Sequence, residues 1–158
     1  MNQNDIYYMQ LALKEAEKAW KINEVPVGCI LVSNGKVISK AYNKREKNHS
    51  VISHAEIEAI KKANKKLATW ILDDVTLYVT LEPCPICAGA ILQSRIKRVV
   101  YAAKEPKFGA MGSIINLADS SLKFNHKIEV TSGILEEESS LMLKSFFREL
   151  RIKNKVKE

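Results

Sequence analysis

A chain of 158 residues, 46% of them hydrophobic, is long enough to bury one substantial core and too apolar for extended disorder. Its 25 Lys and Arg against 18 Asp and Glu leave a net charge of +7, which points to a polyanionic partner. Three cysteines exclude a disulfide framework, and no apolar run approaches the length of a membrane span. Met1-Asn2-Gln3-Asn4-Asp5 lacks the basic and apolar regions of a secretory signal, so a cytoplasmic protein is expected. With no internal repeat or linker, residues 1–158 read as a single domain.

Residues 5–22 read as an amphipathic helix with Met9, Leu13, Ala16 and Trp20 on its packing face. Pro26 breaks the chain before Val27-Gly28-Cys29-Ile30-Leu31-Val32, a buried strand in which Cys29 is a core thiol. Ser33-Asn34-Gly35-Lys36 predicts a hairpin turn, because Asn-Gly readily takes the positive φ angles such turns need. Val37-Ile38-Ser39-Lys40-Ala41-Tyr42 returns as an antiparallel strand. The polar segment 43–53 leads straight into His54 and reads as a substrate-contacting loop, although Asn43 alone could simply cap a turn. A helix is expected from about His54 toward Lys65, with the lysine run 61–66 as its solvated end. Trp70 is assigned to packing before the strand Val75-Thr76-Leu77-Tyr78-Val79-Thr80.

That strand delivers Thr80-Leu81-Glu82-Pro83-Cys84-Pro85-Ile86-Cys87-Ala88-Gly89-Ala90. Pro83 and Pro85 suit a helix start, where a missing N–H costs nothing. With Cys84 in the first turn, Cys84 and Cys87 lie on one face and can reach one metal ion. The positive end of the helix dipole there favours thiolate over thiol. His54 completes three ligands of a tetrahedron, and an open fourth position marks a catalytic zinc site, where water is activated at neutral pH. Glu56 is the natural group to carry the proton. Residues two apart on a helix diverge, so His54 and Glu56 can converge only if His54 lies at the helix entry, outside helical dihedrals. Ala55 then offers a backbone N–H beside the metal. Two other readings stand at this point: a redox Cys-x-x-Cys pair, and a closed structural zinc site with Cys29, His49 or His126 as fourth ligand.

Beyond this helix, which ends near Ser94, Lys97-Arg98-Val99-Val100-Tyr101-Ala102 forms a fourth strand, parallel to the third. Residues 104–112 make a turn-rich loop past its carboxyl end, where open α/β sheets bind ligands. Ile128-Glu129-Val130-Thr131 is a last strand, and a helix follows over about 136–153 with Leu143, Phe146, Phe147 and Leu150 as its apolar stripe. Residues 144–158 hold six basic and two acidic side chains, so four of the seven net charges lie there.

His54-Ala55-Glu56 followed by Pro83-Cys84-Pro85-Ile86-Cys87 is the signature of zinc deaminases. Together with Val25-Pro26-Val27-Gly28, Ser94-Arg95-Ile96-Lys97-Arg98-Val99-Val100-Tyr101 and Pro106-Lys107-Phe108-Gly109-Ala110, it makes the chain resemble the bacterial tRNA-specific adenosine deaminases from about Ile6 to Arg151. The resemblance implies a cytidine deaminase-like, three-layer α/β/α sandwich around a mixed five-stranded sheet. It also implies a homodimer, one zinc per chain, and deamination of adenosine to inosine at the wobble position of a tRNA anticodon, usually that of an arginine tRNA. By correspondence, Asn43 would bond the purine edge and Pro26 and Val27 would wall the base pocket. Glu105 would meet a ribose 2′-OH, Lys107 a phosphate, and Phe147 and Arg148 the neighbouring nucleotides. Glu105 stands where the family has Asp, and Ser50-Val51-Ile52-Ser53 replaces the family's Asp-Pro-Thr-Ala, so that loop lacks its rigid proline. A deaminase of a free base or nucleotide shares the metal motif, and a non-catalytic RNA-binding module with structural zinc is the remaining alternative.

Overall fold

The computed structural model describes residues 3–157. Met1, Asn2 and Glu158, at the ends of the segments read for a signal and for a basic tail, lie outside the described residues. After helix α1 (Gln3–Lys21), strand β1 (Gly28–Ser33) turns back into β2 (Lys36–Tyr42). Asn34 and Gly35 take φ of 51° and 74°, the paired positive angles of a tight hairpin turn. Helix α2 (Ala55–Leu67), strand β3 (Val75–Leu81), helix α3 (Pro85–Gln93) and strand β4 (Arg98–Ala103) follow, then β5 (Glu129–Ser132) and helix α4 (Glu136–Lys157). The sheet order is β2-β1-β3-β4-β5. β1 is antiparallel to both its neighbours, while β3, β4 and β5 are parallel, so the sheet is mixed as expected.

Alternate strand residues face opposite sides, and both sides are covered. Cys29, Leu31, Leu77, Val79, Val99 and Tyr101 share one core with Ala55 and Ala59 of α2 and Ile91 of α3. Ile30, Val32, Tyr78, Val100 and Ala102 share the other with Met9 and Ala12 of α1. Helix α4 joins α1 on this second side, where the Phe146 ring meets Trp20 edge-on at 5.9 Å. The result is the α/β/α sandwich.

The buried face of α1 differs from the expected one. It comprises Asp5, Met9, Ala12, Glu15, Ala16 and Ala19, whereas Leu13 and Trp20 are only half-buried. Gly28 is the reason. A Cβ at that position would come within 2.0 Å of the Ala12 carbonyl oxygen and 2.5 Å of the Ala16 nitrogen, so the helix backbone rests directly on the strand. Only small side chains fit such an approach. Trp20 turns instead toward α4, its Nε1–H donating to Glu149 at 3.0 Å. Trp70, expected to pack, is 58% exposed, with the Arg95 guanidinium 6.0 Å from its ring centre. Helix α4 continues to Lys157, and of its expected stripe only Phe146 is buried.

Asp5 has a larger part than starting a helix. Its carboxylate accepts from both terminal nitrogens of Arg98, at 2.9 and 2.7 Å, and from the Tyr78 hydroxyl at 2.8 Å. The Arg98 guanidinium holds the Asp5 carboxyl below its ordinary pKa. This bridge ties α1 to β3 and β4.

Strand direction assembles the candidate site. Because β1 runs against β2, β3 and β4, residues just before β1 (Pro26, Val27) share one end of the sheet with residues just after the other three. Those are Asn43 after β2, Cys84 after β3 and Glu105 after β4.

Candidate metal centre and active site

Two helices begin at this end of the sheet. His54 and Cys84 are the N-cap residues of α2 and α3, with extended backbones (φ −75°, ψ 156° and φ −76°, ψ 175°), and neither side chain makes a capping hydrogen bond. Cys84 thus sits just outside α3 rather than in its first turn. Both side chains turn toward a common point instead, where Cys87 joins them from one turn further along α3. His54 Nδ1 lies 3.5 Å from Cys84 Sγ and 3.4 Å from Cys87 Sγ, and all three donor atoms fall within 4.8 Å of one another.

These separations fit a metal. With zinc–sulfur bonds of about 2.3 Å and zinc–nitrogen bonds of about 2.0 Å at the tetrahedral angle, the S···N edge comes to about 3.5 Å. Among the described residues the donor group is His54, Cys84 and Cys87 and no fourth side chain, so Cys29, His49 and His126 do not close it. Cys29 is a buried core thiol whose pKa is pushed well up, first by burial and then by nearby Glu56. His126 directs Nε2 at the Ile96 carbonyl oxygen, 2.6 Å away. The closed structural site loses its basis here, and His54 beside both sulfurs favours a metal over a simple dithiol pair.

Charge collects where a cation would sit. The Cys84 pKa is held down to about 4, chiefly because the Cys87 thiol hydrogen-bonds to its sulfur and then because His54 does. Cys87 is pushed up for the reciprocal reason and by burial. The amino ends of α2 and α3 add positive dipole character at the same spot.

Glu56, 4% exposed in the first turn of α2, stands beside the sulfurs, within hydrogen-bonding reach of Cys87. Its pKa is raised to about 7, mainly because burial strips water from the carboxylate, with its own helix N–H and His54 opposing the shift. The extended dihedrals of His54 let residues 54 and 56 converge, as the spacing required. Ala55 occupies the first helical position, whose N–H has no partner within the helix.

The flanking loops carry the expected substrate residues. Asn43 donates from Nδ2 to the Val25 carbonyl at 3.2 Å and accepts the Arg45 N–H on Oδ1, which is the turn-capping role. Its backbone N–H reaches the Val27 carbonyl at 3.0 Å, and Lys44 bonds Ser53, so Pro26, Val27 and Asn43 gather beside His54. On the other flank, the Ala110 N–H bonds the Pro83 carbonyl at 2.9 Å, laying the 104–113 loop against the Cys84 helix. Glu105 accepts the Lys107 N–H on Oε1 at 3.0 Å, and the Lys107 side chain is exposed. Phe147 and Arg148 are exposed on α4; among the described residues, no hydrogen bond or ring contact ties them to the metal group.

Two buried carboxylates escaped the sequence reading. Glu24 accepts the N–H groups of Glu46 and Lys47 at 2.9 and 2.8 Å, anchoring the 43–53 loop. Glu82 does the same for the 104–113 loop. The second lies inside the motif that delivers the metal ligands, which was its only signal.

Residues 2–151 match the family model for MafB19-like deaminases. A tRNA-specific adenosine deaminase of Bacillus subtilis (strain 168) is 52% identical over 156 residues, covering 99% of this chain and 96% of that protein. A solved tRNA:A34 deaminase, which carries out A-to-I editing at the wobble position, is 40% identical with a TM-score of 0.81 over 87% of this chain and 99% of its own. The guanine deaminase of Nitrosomonas europaea shares the fold, with a TM-score of 0.76 over 87% of this chain and 81% of its own, at 23% identity.

Proposed function

The chain belongs to the tRNA-specific adenosine deaminases, and on that premise we propose that it hydrolyses adenosine to inosine at the wobble position of a tRNA anticodon, as one zinc-dependent domain. The observation that carries the chemistry is the donor set of His54, Cys84 and Cys87, spaced as a tetrahedral edge, with a buried carboxylate at Glu56 beside it.

His54 Nδ1 and the two sulfurs would hold one zinc ion. Zinc bound there supplies the Lewis acidity that brings the pKa of water down to about 7. Glu56 takes a proton from the attacking water and delivers it to N1 of adenine, which makes C6 electrophilic. The water oxygen bonds to C6. Glu56 then takes the remaining proton from the new C6 hydroxyl and passes it to the amine as the C6–N bond breaks, leaving a C6 carbonyl and free ammonia. Burial, which makes the Glu56 carboxylate a stronger base, suits a group that must both take and give a proton. The N–H of Ala55 would steady the oxygen at C6.

Pro26 and Val27 wall the base, and the remaining valences of the Asn43 amide meet its edge. Glu105 takes a 2′-OH, which favours RNA over DNA, and Lys107 takes a phosphate. Phe147 and Arg148 support nucleotides beside the target. An anticodon loop presents its bases nearly single-stranded, so extruding one costs only a few kcal/mol, on the order of 2–3. An arginine tRNA is the proposed substrate and the cytoplasm the proposed location. No helix among the described residues is long and apolar enough to cross a membrane. A homodimer is the proposed assembly; the face where exposed Trp70 and Ile86 flank half-buried Gly89 and Ala90 supports it as a surface for a second copy.

Nucleoside analysis of tRNA incubated with zinc-loaded protein tests the reading. Inosine should appear at the wobble nucleotide. Ammonia release from free guanine or cytosine, with none from tRNA, would transfer the enzyme to the small-base branch.

A further inference from the structure

We infer that Glu82 is a positioning residue for RNA recognition: its buried carboxylate holds the 105–113 loop in the form that presents Glu105 and Lys107. Glu82 is 2% exposed at the carboxyl end of β3, two residues before the metal ligand Cys84. Oε1 accepts the Glu105 N–H at 3.2 Å and a hydrogen bond from the Ser113 hydroxyl. Oε2 accepts the N–H groups of Met111 and Ser113 at 3.0 and 3.1 Å. Among the described residues no lysine or arginine pairs with it, so its oxygens are satisfied by loop donors, as in a nest.

The loop closes so tightly that Gly109 has no room for a side chain. A Cβ there would lie 2.3 Å from Glu82 Oε2 and 2.5 Å from the Glu105 carbonyl oxygen. The carboxylate grips the loop at both ends, and the Glu105 it fixes caps Lys107 in turn. Loop position is therefore referred to the strand that also delivers Cys84. The phosphate and ribose contacts thus keep a set distance from the metal centre.

This inference rests on the proposed tRNA substrate, and the experiment separates the two. In Glu82→Gln the shape survives, but an NH2 replaces one acceptor and faces loop N–H groups. An anticodon stem-loop should then bind about tenfold more weakly to Glu56→Gln/Glu82→Gln than to Glu56→Gln alone, with zinc content unchanged. With Glu56 intact, Glu82→Gln should raise KM by about tenfold and leave kcat within about threefold. Lys107→Ala should weaken binding in the parent protein and add little once Glu82 is changed, because both act through one contact. If Glu82→Gln fails to fold, Ser113→Ala, at an exposed residue, should shift KM in the same direction by about threefold. Unchanged KM, a loss confined to kcat, or full additivity with Lys107→Ala would overturn the inference. A parent protein that binds no stem-loop at all would sink the substrate reading first and this one with it.

Discussion

Glu56 is buried, its pKa raised by that burial, and in reach of a ligand sulfur, so its removal should stop proton transfer without dismantling the site. Glu56→Gln keeps the side-chain shape. Inosine formation should fall by at least about 10³-fold, while zinc stoichiometry and stem-loop binding stay at the parent level. Cys87→Ser should instead lose the metal: the variant is expected to release zinc to a chelator that leaves the parent loaded, and to regain little activity on adding zinc back. A turnover-competent Glu56→Gln protein would leave proton transfer to another group. The ligands and Glu56 were legible in the chain because their chemistry depends on short spacings and on two helix starts, both local properties. Glu24 and Glu82 were not. Their partners are backbone N–H groups at residues 46–47 and 105–113, and only the assembled fold brings those groups to them. At Asn43 the amide caps a turn, and the purine contact proposed for it falls to the valences left over.

Among the elements, α1 shows how packing overrides a pattern read by size. Leu13 and Trp20 look like the buried face, yet the backbone-on-strand contact at Gly28 selects Ala12, Ala16 and Ala19. Gly28→Ala should therefore cost on the order of 3 kcal/mol or more, read by urea denaturation, because backbone atoms block the new methyl and cannot step aside as a side chain could. The hairpin was visible because Asn-Gly dictates its own turn. The Asp5–Arg98 bridge was invisible because a first-turn acid is ordinary at a helix start, and its partner lies on another element. Asp5→Asn should destabilise the protein by about 3 kcal/mol at neutral pH, since it leaves a partly buried guanidinium without its counter-charge. Asp5 has a folded pKa below its ordinary value of 3.8, so its contribution is present above that pH. It is lost as the pH falls through the lower, folded value. The stability gap between parent and Asp5→Asn should hold from neutrality down to about pH 4 and close below it, and a gap that stays constant in acid would show that the carboxylate charge is not what α1 depends on.

For the whole molecule the question is where its positive charge meets RNA. The surplus is not spread evenly: four of seven net charges lie in residues 144–158, and α4 carries Arg148, Arg151, Lys153, Lys155 and Lys157 on exposed positions. A fully solvated helix end would also look like this, and composition alone did not separate the two. Salt dependence does. Each phosphate contact adds about 0.7 to 0.9 to the slope of log K against log salt. Replacing Arg151, Lys153, Lys155 and Lys157 by Gln keeps a good helix former at each position, so α4 should persist by circular dichroism. Binding to whole tRNA should weaken, and the slope should flatten by about two to three if three of these side chains touch phosphate. The effect should shrink for an isolated anticodon stem-loop if the tail reaches beyond the loop into the stem. A Lys107→Ala protein, by contrast, should lose the same increment on both RNAs if its proposed phosphate contact lies beside the reacting base. If the four-Gln protein matches the parent in affinity and slope, the charge on α4 serves solubility, and recognition rests on the two loops that Glu24 and Glu82 hold.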